Sequence, residues 1–282
     1  MSQSNVYIAG VGKVLPAGYD TQMFANTLYP SVAVEPVVNK FAVKALSAAG
    51  IDKRYSVLDL EEFPEKKLKK KSYTPLNWGL KVIEKLTQEI SREEIGYLGV
   101  SYNITSHQNV LPNLACQLAH EAKLQLDFMP EEIAHHGCAA GMLNLERAVR
   151  YCAKSQKAAI IYTFDQCTCI ANPIYDRADK NFKASLRAAV LFSDGAAGLL
   201  LVPESLRSRF KQPLMKIMDM QTCFHPGNAI KMQGNTFLVK NGVDKEMPKV
   251  TARELIKPML DKANLSGTDI DEWSLHQGGL PV

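Results

Sequence analysis

The sequence predicts an α/β fold, a sheet with helices on both faces, and three observations carry that prediction. Strand-like and helix-like stretches alternate along the chain. Residues 157–164 (Lys-Ala-Ala-Ile-Ile-Tyr-Thr-Phe) form the near-continuous apolar run of a strand covered on both faces. The strongest helical stretch, 139–154, is rich in Ala, Met, Leu and Val, and Glu146, Arg147 and Arg150 are its charges before the last turn.

Composition sets the outer limits. With 282 residues, 46% apolar and 22% charged, the chain has room for one large or two ordinary domains and none of the bias of a disordered segment. A net charge of +4 is too slight to imply nucleic acid. Its apolar runs fall short of a membrane span, and the opening Met-Ser-Gln-Ser-Asn has no signal-peptide pattern. Six cysteines without framework spacing suggest reduced thiols and a cytoplasmic setting. The close pair Cys167 and Cys169 lacks the second pair that a structural zinc site needs, so no metal is expected.

The elements follow in order. Residues 6–14 read as a buried strand broken by Gly10 and Gly12; a dinucleotide loop would need a third glycine where Leu15 stands. Residues 39–49 have helical spacing and stop at Gly50, and 51–58 lead into an extended segment. The lysine-rich run 61–71 reads as a solvated face, with a docking patch for an acidic carrier protein as the alternative. Leu76, Leu80, Ile83 and Leu86 mark a helix, 94–102 a strand, 113–122 a second helix and 125–129 a short extended piece. Residues 188–202 look like two apolar runs joined by a turn at Ser193-Asp194-Gly195. Pro203 closes that unit, and the Ser- and Arg-rich link 204–212 is the best domain boundary, dividing the chain into 1–203 and 204–282. Beyond it come a strand near 215–222, an extended piece at 236–239, and a helix over 250–263 that Pro258 should kink. Residues 269–279 suggest a short strand delivering His276 into a glycine turn.

The chemistry centres on His135-His136-Gly137-Cys138-Ala139-Ala140-Gly141-Met142. Cys138 is bracketed by glycines that permit unusual dihedrals and stands at the start of the 139–154 helix. Free N–H groups and the positive dipole end there favour a thiolate, which makes Cys138 a candidate nucleophile. A buried structural cysteine is the plainer alternative. His276, before glycines that leave room above its ring, is a candidate acid or base, with a purely structural histidine as its alternative.

Six segments in collinear order resemble the thiolase-fold condensing enzymes, in particular the β-ketoacyl-ACP synthase III group and the chalcone-synthase-like type III polyketide synthases. They are Ile51-Asp-Lys-Arg-Tyr-Ser-Val-Leu58, Pro112-Asn-Leu-Ala-Cys-Gln-Leu-Ala119, Gly137-Cys-Ala-Ala-Gly141, Leu191-Phe-Ser-Asp-Gly-Ala-Ala-Gly198, Met232-Gln-Gly-Asn-Thr-Phe237 and Trp273-Ser-Leu-His-Gln-Gly-Gly279. The last is a blend of the two groups' histidine motifs and does not choose between them.

That resemblance implies a pseudo-duplicated αβαβα layering whose N-terminal half, 1–203, carries Cys138, and whose second half, 204–282, is incomplete and carries His276. It implies an acyltransferase in fatty acid or polyketide biosynthesis. Cys138 would accept an acyl group from acyl-CoA or an acyl-carrier protein, with backbone N–H groups holding the oxyanion. The acyl group would then be joined to the enolate of a malonyl-CoA or carrier-bound malonyl thioester, formed by decarboxylation with help from His276. No cofactor is implied beyond the thioesters.

Where the sequence departs from that pattern is equally specific. The family's catalytic asparagine lies some tens of residues after the histidine, and Asn241 and Asn264 both precede His276. The missing C-terminal part is expected either from a second chain or from a longer form of this one. Acyl transfer to an oxygen or nitrogen acceptor without decarboxylation, and a subunit role in a heteromeric condensing complex, are the competing functions. A homodimer is expected, built around residues 106–110 and the strand beginning near Lys157, with neither nucleic acid nor membrane as a partner.

Overall fold

The computed structural model describes residues 5–48, 50–106, 111–227, 230–233, 236–239 and 243–276. The chain opens with β1 (Val6–Val14), β2 (Ala17–Asp20), α1 (Thr21–Leu28), α2 (Pro36–Ala48) and β3 (Lys53–Ser56). The middle holds α3 (Pro75–Leu86), β4 (Ile95–Tyr102), α4 (Leu114–Glu121), β5 (Glu131–Ala134), α5 (Ala140–Cys152) and β6 (Ala158–Gln166). After these come α6 (Phe182–Leu191), β7 (Asp194–Pro203), β8 (Met215–Ile217), β9 (Ile230–Gln233), β10 (Thr236–Val239), α7 (Val243–Thr251) and α8 (Lys257–Ala263).

Local chemistry explains where the helices start. Asp20 caps α1 by accepting from the Met23 N–H at 2.7 Å, and Asn113 caps α4 through the Cys116 N–H at 2.9 Å. Thr74 accepts from Asn77 N–H at 3.2 Å and Pro75 occupies the first turn of α3, where its missing N–H costs nothing. Helix α5 has no such side-chain cap; it grows out of a 3-10 turn at Gly137–Ala139.

Six strands make one sheet in the order β5-β4-β6-β7-β1-β8. The first three are parallel; β6 with β7, β7 with β1 and β1 with β8 are antiparallel. As the apolar run predicts, β6 is central, and Ala158, Ala159, Ile160 and Tyr162 are fully buried. One face is covered by the larger core, which includes Trp78, Val82 and Ile83 of α3, Leu118 of α4, Phe24 of α1 and Leu186 of α6. Each such large apolar side chain contributes roughly 1.5–3 kcal/mol. On the other face α5 lays Ala148 and Cys152 against Tyr97, Ala159, Ile161 and Leu201. Helices therefore lie on both faces. Gly99 and Gly198 let them approach closely: a Cβ on Gly198 would lie 2.5 Å from Val82 of α3.

Several expectations change. Residues 188–202 are not a hairpin: 188–191 finish α6, and β7 starts at Asp194. The run Ala-Ala-Val-Leu suits a buried helix end as well as a strand, and Asp194 is turned inward instead of occupying a turn tip. The extended segment before Cys138 is Glu131–Ala134, not 125–129. The helical stretch is interrupted next to Pro258, as its ring requires: a π-turn at Ala252–Ile256 directly precedes it and separates α7 from α8, leaving Pro258 in the first turn of α8. The strand expected to deliver His276 is absent among the described residues: 272–276 have no regular structure and are exposed. No described helix is long and apolar enough to cross a membrane.

Candidate active site

Register brings the polar groups to one edge. Tyr102 at the end of β4 pairs with Ala134 at the end of β5, Ser101 pairs with Thr163, and Gln166 at the end of β6 faces Asp194 at the start of β7. The residues just past these strand ends, Asn103, His135 to Cys138 and Cys167, therefore share the carboxyl edge of the parallel strands with Asp165 and Asp194. That edge is the usual ligand side of a parallel sheet.

Cys138 lies in the 3-10 turn between β5 and α5, preceded by Gly137 with φ +60°. His135 to Ala139 are all exposed, so the turn is open to a ligand. Solvent reaches the residue, so a substrate can approach it across the surface. Burial and then the charge of Asp165 raise the thiol above its ordinary value, while the backbone N–H of Cys138 works in the opposite direction. Burial first and the Asp165 carboxylate second thus work against the thiolate that the helix start favours.

Asp165, on β6, anchors the neighbouring loop. Its Oδ1 accepts from the N–H groups of Asn103 at 2.8 Å and Ile104 at 2.7 Å, and its Oδ2 accepts from Asn103 Nδ2 at 3.0 Å. Burial raises its pKa and these bonds, with the charge of His135, oppose that rise. Asn103 Nδ2 also donates to the Gly137 carbonyl at 3.1 Å, and Asn103 Oδ1 is buried with no partner among the described residues. His135 packs edge-on to Tyr102 with centroids 6.3 Å apart, and His136 Nδ1 lies 2.8 Å from the Ala134 carbonyl.

Asp194 ties the edge together from behind. It is almost wholly buried and accepts from the N–H groups of Val57 and Thr168, at 2.7 and 2.8 Å, and from the Thr168 hydroxyl. Burial pushes its pKa up to about 6 against those bonds. Cys167, one residue before Thr168, is raised by burial and by the charges of Asp165, Asp194, Cys138 and Cys169. It also lines a small void with Phe24, Leu28, Ile170, Ala188 and Phe192.

The two residues chosen from sequence thus have different settings. Cys138 sits in the polar cluster; His276 is exposed at the end of the described chain, and no described hydrogen bond or charge interaction joins it to Cys138. Its expected glycine turn, 277–279, and Asn241 lie outside the described residues, while Asn264 is the left-handed cap of α8. No described group of three His, Cys, Asp or Glu side chains is placed to hold a metal ion. Asn103, Asp165 and Asp194 were missed by motif reading. The available signal was position: a polar residue at or just beyond the end of an apolar parallel strand.

No protein-family model and no curated protein sequence matches the chain. Solved structures do. The C-terminal type III polyketide synthase domain of Steely1, a type I/III hybrid from Dictyostelium, is similar over 95% of this chain and 76% of its own, with a TM-score of 0.72 and 15% identity. PKS-I from the brown alga Ectocarpus siliculosus is similar over the whole of this chain and 79% of its own, with a TM-score of 0.78 and 16% identity. The chain has the thiolase-like α/β fold of these synthases.

Proposed function

We propose that the chain is a condensing acyltransferase of polyketide or fatty acid biosynthesis, with Cys138 as its acyl carrier. The observation that supports this most is the placement of an exposed cysteine in a glycine-entered turn at the carboxyl edge of the parallel strands, on a fold shared with polyketide synthases. In this reading the Cys138 thiol gives up its proton, its sulfur attacks the carbonyl carbon of an acyl-CoA or carrier thioester, and the departing thiol takes the proton back. Because the thiol is held above its ordinary value, a base must share in that first transfer. We assign that transfer to His276 as well, beside the help with decarboxylation that the resemblance implies, and the segment carrying it would have to close onto Cys138. A malonyl thioester then loses carbon dioxide; the electron pair of the broken C–C bond forms an enolate, which attacks the acyl carbon and expels Cys138. Thioester chemistry needs no further cofactor.

The same proposal includes a cytoplasmic homodimer. A second reading, acyl transfer to a hydroxyl or amine without decarboxylation, is favoured by the absence of any described contact between His276 and Cys138. Mass-tagged acyl-CoA followed by malonyl-CoA separates the two. The first reading expects label on Cys138 and release of carbon dioxide; label that persists with malonyl-CoA yet moves to a hydroxyl or amine supports the second. A folded chain that acquires no label refutes both and leaves the subunit role.

A further inference from the structure

Asn103 has no part in the chemistry just described, yet it is the side chain that bridges β4, β6 and the turn bearing Cys138. Its Nδ2 makes two bonds at once, to the Gly137 carbonyl at 3.1 Å and to Asp165 Oδ2 at 3.0 Å. Both neighbours are acceptors only, so the orientation of the amide is dictated: reversed, Oδ1 would face a carboxylate and a carbonyl. Asp165 is itself fixed by the Asn103 and Ile104 N–H groups at 2.8 and 2.7 Å.

We propose that Asn103, braced by Asp165, is the positioning residue of the nucleophile turn: by gripping the Gly137 carbonyl it fixes the peptide between Gly137 and Cys138 and so aims the Cys138 N–H at the oxygen of an attacked thioester. The inference rests on the acyl-cysteine reading above. A trans peptide is planar and its C=O and N–H point to opposite sides, so whatever holds the carbonyl sets the direction of the amide hydrogen. Gly137 gives the carbonyl no rigidity of its own, because φ +60° is open to glycine without strain and nothing lies within 4 Å of where a Cβ would be. Among the described residues the other group on that carbonyl is the N–H of Ala140, which belongs to the turn itself and moves with it. Asn103 therefore supplies the one link among the described residues between this peptide and the rigid sheet.

A pre-aimed N–H matters for attack on a carbonyl, where negative charge builds on oxygen, and not for displacement at a saturated carbon. That difference gives the test. Wild type, Asn103→Ala and Asn103→Ser are compared in two reactions of the same sulfur: acylation of Cys138 by a panel of acyl-CoA thioesters from acetyl to dodecanoyl, followed by intact mass, and alkylation by iodoacetamide across pH 6 to 10. The expected result is that Asn103→Ala lowers the acylation rate by at least about tenfold while alkylation rates and the thiol titration stay within about threefold, with Asn103→Ser in between because its hydroxyl retains one donor. Equal losses in both reactions, or acylation unchanged, overturns the inference. So does unfolding of both variants by circular dichroism, which makes Asn103 a residue of the core and nothing more. A wild-type protein that alkylates normally but takes no acyl group from any thioester defeats the acyl-cysteine reading itself and this inference with it.

Discussion

Helix α5, which follows the nucleophile turn, approaches β4 closely at Gly99, and Gly99→Ala tests that packing. A Cβ built on Gly99 of β4 would lie 1.9 Å from Asn144 Oδ1, 2.9 Å from its Cγ and 3.0 Å from the Tyr97 hydroxyl. Asn144 is fully buried (0% exposed) on α5, and its Nδ2 donates to Ser101 Oγ at 3.4 Å. Its oxygen is buried without a hydrogen-bond partner among the described residues and fills the space a Cβ on Gly99 would need. A contact of 1.9 Å must open by more than 1 Å or so, which means lifting α5 from β4 or breaking the Ser101 bond. Overpacking of this kind costs about 1–3 kcal/mol, and a displaced buried amide adds about 1–3 kcal/mol, so a loss near 3 kcal/mol is expected. Urea unfolding followed by circular dichroism measures it. The sharper form is a double-mutant cycle: Gly99→Ala with Asn144→Ala should be more stable than the sum of the single losses by at least about 1 kcal/mol, because removing the amide clears the space. A Gly99→Ala loss below about 0.5 kcal/mol, or strict additivity, would refute the claimed contact.

Two further perturbations follow from the same edge of the sheet. Asp194 has a pKa near 6 in the folded chain, above the usual carboxylate value, so its contribution to stability is fully present below pH 4 and is lost as pH rises through 6. Between pH 5 and 7 the wild type should lose about 1 kcal/mol more than Asp194→Asn in urea unfolding; parallel pH profiles would contradict the buried charge. Gly137→Ala meets no atom within 4 Å and is strained only by φ +60°, so it should cost about 1 kcal/mol of stability while slowing acylation of Cys138. An alanine variant with unchanged stability and acylation would show that the positive φ is not required.

The legible parts of the fold were those fixed by local pattern. Residues 157–164 are apolar on both faces because β6 is central, and the small residues after Cys138 start a helix that must lie close to β4. Cys138 was legible for the same reason, since glycines and a helix start are neighbours in sequence. Asn103 and Asp165 were not, because their roles depend on partners 34 and 62 residues away that strand pairing brings together. The stretch 188–202 misled because apolar content without periodicity does not separate a helix end from a strand, and Asp194 resembles a turn residue until its three donors from 57 and 168 are seen. The extended reading of 269–276 failed among the described residues for want of a partner strand; alternation alone does not make a sheet.

The central claim is that Cys138 carries an acyl group, and intact mass spectrometry with peptide mapping after incubation with acyl-CoA tests it most directly. The account predicts one acyl adduct per chain, on Cys138, absent from Cys138→Ala and discharged when malonyl-CoA is added. A folded chain with no adduct, or with the acyl group on Cys116, Cys167, Cys169 or Cys223 in place of Cys138, would contradict it.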